Sequence, residues 1–173
     1  MIEIVYETHA LTTDNESGIA TGWHPGDLSP AGREQALDLG RRRANDGIAA
    51  VFTSDLHRAV ETAAIAFAGT PLPIHRDARL RECDYGALTG TPSAHLPRAR
   101  HLDVPFPGGQ SYRDVVTATA DFLRDLSAWE GTRLLVIAHS ANRWALDHLL
   151  TSADLKALVT APFAWQPGWE YRL

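Results

Sequence analysis

Short apolar runs alternate with helix-spaced segments along this chain, and that alternation most constrains what it can fold into. Ile2-Glu3-Ile4-Val5-Tyr6-Glu7-Thr8 has the length and β-branched content of a buried strand. Ala49 to Thr53 reads as a second strand, Leu72-Pro73-Ile74-His75 as a short third, and Arg133 to Ala138 as the next. A helix begins at Ser29-Pro30, with the serine as N-cap and the proline at the first helical position. Others are expected from about Asp55 to Ala68, from Ser111 to Trp129 on the spacing of Val115, Ala118, Phe122 and Leu126, and onward from His139. Trp169 to Leu173 alternates and reads as a closing edge strand. Strands alternating with helices predict a three-layer α/β/α sandwich with a mostly parallel central sheet. No repeat or linker interrupts the pattern, so residues 1–173 are expected to form one domain.

Two stretches fall outside it. Thr12 to Leu28 is too irregular for a regular element and long enough for a functional loop. Cys83 to Gly109 is rich in glycine and proline and reads as loop with at most short helical turns.

Composition excludes several classes of function. Apolar residues make up 45% and charged residues 21%, as in ordinary soluble proteins. No apolar stretch approaches the roughly 20 residues needed to span a bilayer, and Glu3 and Glu7 interrupt any signal-peptide pattern. With Cys83 as the single cysteine, a disulfide framework is impossible and a reducing compartment is favoured. The expectation is therefore a cytoplasmic protein without a membrane partner. A net charge of -5 argues against nucleic acid, although a local arginine cluster can still hold a small anion. The oligomeric state cannot be read.

Open α/β sheets place ligands beyond the carboxyl ends of their strands. His9 and His139 each follow an apolar run, Arg58 follows the run ending at Thr53, and Glu82 stands in the later loop. Two imidazoles, a guanidinium and a carboxylate suggest chemistry on an anion. Each has an ordinary structural reading when taken alone: a hydrogen-bonded histidine, a surface helix arginine, a solvated loop carboxylate. His24, His57, His75, His95, His101 and His148 lack metal-ligand spacing and read as solvent-facing or structural. Arg41-Arg42-Arg43 reads as a solvated helix end, where cations favour the dipole.

The order of the segments resembles the histidine phosphatase superfamily, the phosphoglycerate mutase-like proteins. Thr8-His9-Ala10 stands where that family has Arg-His-Gly, Asn15 matches its asparagine, and Gly22 its loop glycine. Leu28-Ser29-Pro30-Ala31-Gly32-Arg33-Glu34-Gln35-Ala36 is similar to its helix start, and Ser54-Asp55-Leu56-His57-Arg58-Ala59 with Thr62-Ala63 to its second phosphate-binding segment. Arg81-Glu82-Cys83-Asp84-Tyr85-Gly86 resembles the segment of its general acid. Pro107-Gly108-Gly109-Gln110-Ser111 resembles its glycine turn, and Val136-Ile137-Ala138-His139-Ser140 its second histidine motif.

The resemblance implies a phosphatase that hydrolyses a small phosphate monoester through a phosphohistidine on His9. Arg58 and a positively charged His139 would hold the phosphate, Glu82 would serve as general acid and base, and Asn15 would add a neutral hydrogen bond. Gly22, Thr8, Ser140 and Arg143 complete the implied substrate contacts. Neither metal nor cofactor is implied. Mutases proper are expected to be longer, so the short chain favours a hydrolase.

Thr8 departs from the pattern, as does Glu7, where an apolar residue is usual. Losing a charge-assisted contact costs on the order of 1.5–3 kcal/mol per hydrogen bond. Three explanations stand open. Another arginine replaces the missing one, with Arg143 first, then Arg33 and Arg81. Alternatively, Glu7 recognises a positive charge on the substrate. In the third, the fold is kept for altered chemistry or for binding a non-standard ligand in the same pocket.

Overall fold

In the computed structural model, which describes residues 1–173, the first apolar run forms β1 (Glu3–Thr8) inside a five-stranded sheet. The other strands are β2 (Ile48–Thr53), β3 (Ile74–Arg76), β4 (Arg133–Ala138) and β5 (Trp169–Arg172), in the spatial order β3-β2-β4-β1-β5. The first four run parallel, and β5 pairs antiparallel with β1 at the edge, as its alternation predicted.

The helices are α1 (Thr13–Glu16), α2 (Pro30–Arg43), α3 (His57–Ala66), α4 (Tyr112–Arg124), α5 (Ser140–Thr151) and α6 (Leu155–Thr160). Alternation along β1 explains the layers. Ile2, Ile4 and Tyr6 enter a core with Phe122 and Leu126 from the α4 side and Leu146 from α5. Val5 turns the other way, to Leu39 of α2 and Ala63 of α3. Both sheet faces are therefore buried, which requires the apolar strands seen in the sequence. Ser29 caps α2, its hydroxyl accepting the Gly32 N–H at 3.1 Å with Pro30 in the first turn. α2 then crosses the end of α3 so closely that a Cβ at Gly40 would lie 2.1 Å from the Ala66 carbonyl oxygen.

Several local expectations are revised. The loop from Thr12 to Leu28 contains the short α1, nucleated by a Thr12–Asn15 capping box. α4 tightens into a 3₁₀ turn over Asp125–Trp129. α6 had no sequence expectation; its six residues bury Leu155 and Val159, too brief a pattern for helical periodicity to reveal. The reading of Arg41-Arg42-Arg43 as a solvated end is corrected for two of the three. Arg42 and Arg43 converge on Glu7, whose side chain is 1% exposed.

Register decides where the strand ends meet. Thr8 pairs with Ala138 and Thr53 with Ile137. The next residues, His9, His139 and Ser54, therefore emerge together at the carboxyl edge of the sheet.

Candidate active site

His9 leaves β1 with its Nδ1 2.8 Å from the carbonyl oxygen of Ala10. A carbonyl can only accept, so Nδ1 carries the proton and Nε2 keeps its lone pair. Ala10 is itself fixed, its N–H donating to Thr62 Oγ1 at 3.0 Å, while Thr62 donates to the Arg58 carbonyl at 2.7 Å. Burial, then the charge of Arg58, pushes the His9 imidazole down to about 3, against the opposing effect of the Ala10 bond. His9 is thus neutral at physiological pH.

His139 lies opposite, with the two ring centroids 5.1 Å apart. Its Nε2 is 2.7 Å from Ser54 Oγ, which also accepts the Leu56 N–H at 3.3 Å. The network is satisfied when Ser54 donates to Nε2, which puts the imidazole proton on Nδ1. That Nδ1 is buried and has no protein partner. A buried orphan donor calls for an acceptor, and a ligand oxygen would supply one. Burial, Arg58 and His9 together hold the His139 imidazole well below its ordinary range. The expected positive charge on His139 is therefore corrected for the unliganded site: the ring is a neutral donor.

Arg58, 2% exposed, comes from the first turn of α3. Its Nη1 donates to the His24 carbonyl at 2.9 Å and its Nη2 to the Gly22 carbonyl at 2.8 Å. Two of its five N–H groups hold the loop, leaving three for a ligand. Gly22 adopts a positive φ of 52°, which lets its carbonyl reach inward. Asn15 lines the same cleft; its Oδ1 accepts the Thr12 N–H at 3.0 Å, leaving the amide nitrogen free to donate.

Glu82 is 8% exposed, and its Oε1 accepts the Cys83 N–H at 2.8 Å. Burial raises its carboxyl above the ordinary range, despite opposing hydrogen bonds and Arg58. The glycine turn frames this segment. Gln110 N–H donates to the Asp84 carbonyl at 2.9 Å, and a Cβ at Gly109 would lie 2.2 Å from that oxygen. Trp23, from the Thr12–Leu28 loop, donates its indole N–H to the Glu82 carbonyl at 2.7 Å. Its ring also lies 4.6 Å from the Arg81 guanidinium carbon.

A cleft of about 620 Å³ is lined by Thr8, His9, Asn15, Gly22, Arg58, Glu82 and Ser140, whereas the fully buried His139 is not part of its lining. Arg143 is not brought there. It pairs with Asp147 at 2.8 Å and stacks over Trp169, so it does not replace the missing arginine. Arg33 pairs with Glu61 and Arg81 with Asp55, which occupies both alternatives. Glu7 faces away from the cleft interior, saturated by Arg42 and Arg43, and recognition of a cationic substrate by it is corrected too.

The arginine that does line the cleft beside Arg58 is Arg98, which the sequence did not single out. It stands in the Gly- and Pro-rich segment, where no periodicity marks a functional side chain. Its Nη2 donates to Ser93 Oγ at 2.8 Å and its buried Nε has no partner. Asn142 was also missed. Fully buried, it accepts the His139 N–H at 3.2 Å and donates to the Arg81 carbonyl at 3.1 Å, tying the start of α5 to the Glu82 segment.

The chain belongs to the histidine phosphatase superfamily (branch 1), which it matches over residues 8–164. Among its relatives is the 2,3-bisphosphoglycerate-dependent phosphoglycerate mutase of Methylobacterium sp. The two are 35% identical over 166 residues, covering 85% of this chain and 79% of the relative. The same-named mutase of Methylocella silvestris is 32% identical, covering 98% and 91%. Bacillus stearothermophilus YhfR superposes with a TM-score of 0.87 at 27% identity, covering 96% of this chain and 88% of that one. A mycobacterial glucosyl-3-phosphoglycerate phosphatase in complex with VO3 shares the fold, with a TM-score of 0.81 at 24% identity over 92% and 85% of the two chains. Because the chain spans 91% of the Methylocella mutase, chain length does not separate hydrolase from mutase.

Proposed function

We propose that this protein is a phosphatase that hydrolyses a small phosphate monoester through a phosphohistidine on His9. The observation that carries the reading is the tautomer of His9. Its Nδ1 proton is committed to Ala10, which leaves Nε2 a lone pair, and the His139 ring, whose Nδ1 has no partner, lies 5.1 Å away centre to centre.

The Nε2 lone pair attacks phosphorus, and the bond to the ester oxygen breaks in line with it. The ring becomes cationic, and the Ala10 carbonyl stabilises it through the Nδ1 proton. Arg58, the His139 Nδ1–H, the Asn15 amide and backbone N–H groups at the start of α5 meet the phosphoryl oxygens. Arg98 lines the same cleft as a further cation for the substrate, while the contact missing at position 8 stays unfilled. Glu82, whose carboxyl burial pushes up toward the protonated form, gives its proton to the leaving alcohol. As a carboxylate it then takes a proton from water. The water oxygen attacks phosphorus, the P–N bond breaks and the electron pair returns to His9. Thr8 and Ser140 line the phosphate end, whereas Arg143 supports α5 from outside.

A second reading has a specific observation behind it. The mutase relatives align over nearly the whole chain, and a mutase would pass the phosphoryl group from His9 to a second alcohol. Incubation with a panel of phosphate esters separates the readings, because a phosphatase releases inorganic phosphate stoichiometrically. His9→Ala is expected to abolish release and the acid-labile phosphoprotein. Thr8→Arg is expected to raise kcat/KM about tenfold to a hundredfold, the value of one restored charge-assisted contact. If the native protein turns over no ester while Thr8→Arg does, the native protein is not a phosphatase.

A further inference from the structure

Glu7 and the segment after α6 are left unexplained by the reaction, and they are connected. Residues 161–168, Ala-Pro-Phe-Ala-Trp-Gln-Pro-Gly, carry no charge and run along the cleft, with Phe163 and Trp165 in its wall. These rings are 53% and 55% exposed, and neither pairs with another aromatic ring. Isolated exposed rings are ordinary, but two on one wall of a cleft of about 620 Å³ form an apolar patch beside a polar centre.

The wall is held from behind. Glu7 Oε1 accepts from Arg42 Nη1 and from Arg43 Nη2, each at 2.7 Å. The same Arg43 Nη2 donates to the Pro167 carbonyl at 2.9 Å, and the Arg42 guanidinium carbon lies 6.0 Å from the Trp165 ring centre. A buried carboxylate on β1 thus orients two arginines of α2, one gripping the backbone of the segment and one facing its indole. Pro162 and Pro167 restrict the segment further. On its other side Trp165 borders a separate hollow of about 380 Å³ whose wall is largely charged, with Glu34, Asp38, Arg41 and Arg42, so the apolar surface is confined to the cleft side.

Resting on the reading of the cleft as a phosphate-ester site, we propose that Phe163 and Trp165 recognise an aromatic ring in the alcohol half of the substrate. Glu7 is a positioning residue that sets this wall through Arg42 and Arg43. Two exposed rings on an uncharged segment suit a flat apolar group.

Binding measured calorimetrically in the His9→Ala protein separates recognition from turnover. The probes are n-propyl phosphate, 2-phenylethyl phosphate and 2-cyclohexylethyl phosphate. The phenyl ester is expected to bind about tenfold more tightly than the propyl ester, the value of burying one side-chain-sized apolar group. It is also expected to bind more tightly than the cyclohexyl ester. Adding Trp165→Ala, a surface change, lowers the phenyl-to-propyl ratio to about threefold or less, and Trp165→Phe retains most of it. Adding Glu7→Gln lowers the ratio too, whereas a merely structural role would weaken both esters together and leave the ratio intact.

A ratio near one, a ratio indifferent to Trp165→Ala, or equal binding of phenyl and cyclohexyl esters overturns the proposal. If the propyl ester and inorganic phosphate both fail to bind, the phosphate-site reading itself fails and takes this one with it. Sedimentation of the same proteins covers a second copy of the chain as the occupant. Loss of a dimer in Trp165→Ala with an unchanged ratio makes the wall an interface instead.

Discussion

At the residue scale, the site works by suppressing charge. Burial and Arg58 push the His9 and His139 imidazoles down, and burial pushes the Glu82 carboxyl up from the usual carboxylate range. Both directions favour what the proposed first step needs, a neutral imidazole as nucleophile and a protonated carboxyl as acid. The sign of the pH dependence follows. His9 stays unprotonated down to about pH 3, so no acid limb near 6.5 should arise from it. Activity should fall instead as pH rises through the elevated value of Glu82, where the proton donor is lost. A profile of kcat/KM against pH, corrected for the substrate's own ionisation near about 6, checks this. Glu82→Gln should abolish that alkaline limb along with most of the rate toward esters of poor leaving alcohols. His9 and His139 stand out in the sequence because each follows an apolar strand run, and Glu82 only through the family resemblance of its loop. Arg98 does not stand out, since it sits on a 3₁₀ turn whose sequence has no period. Arg42 and Arg43 were misjudged because their partner Glu7 lies 35 and 36 residues away in the chain.

At the scale of elements, the helix starts and strand ends follow local chemistry, and the helix crossings do not. Ser29-Pro30 announces α2 by its cap, and Ser111 announces α4 by a capping box with Asp114. Within α2, Gly40 has the look of a weak point, because glycine in a helix interior costs about 1 kcal/mol relative to alanine. Its surroundings reverse that expectation. The Ala66 carbonyl would be 2.1 Å from an added Cβ, and backbone cannot yield as a side chain can. Gly40→Ala should therefore destabilise the protein by about 1–3 kcal/mol, the usual cost of overpacking, where propensity alone forecasts a gain. Urea denaturation decides the sign.

For the whole molecule, the same buried imidazoles couple the site to stability. Both histidines are depressed below their unfolded value of 6.5, so below that pH the unfolded chain binds protons that the native protein refuses. Stability should therefore decline as pH falls from about 6.5, before the carboxylates titrate, with each imidazole contributing at most about 1.4 kcal/mol per pH unit. The raised Glu82 opposes part of this loss. His139→Gln should make the decline shallower, as measured by urea midpoints from pH 7 to 5. The apolar runs, their alternation with helices and the caps by themselves determined the layered sheet and the edge at which His9 and His139 emerge, because period and propensity are local properties. Tertiary structure alone decided which side chains meet around the cleft. Register brought Ser54 to His139, the crossing of α2 turned Glu7 away from the cleft toward Arg42 and Arg43, and an irregular loop delivered Arg98. Those pairings depend on three-dimensional proximity between distant segments, which no local pattern encodes.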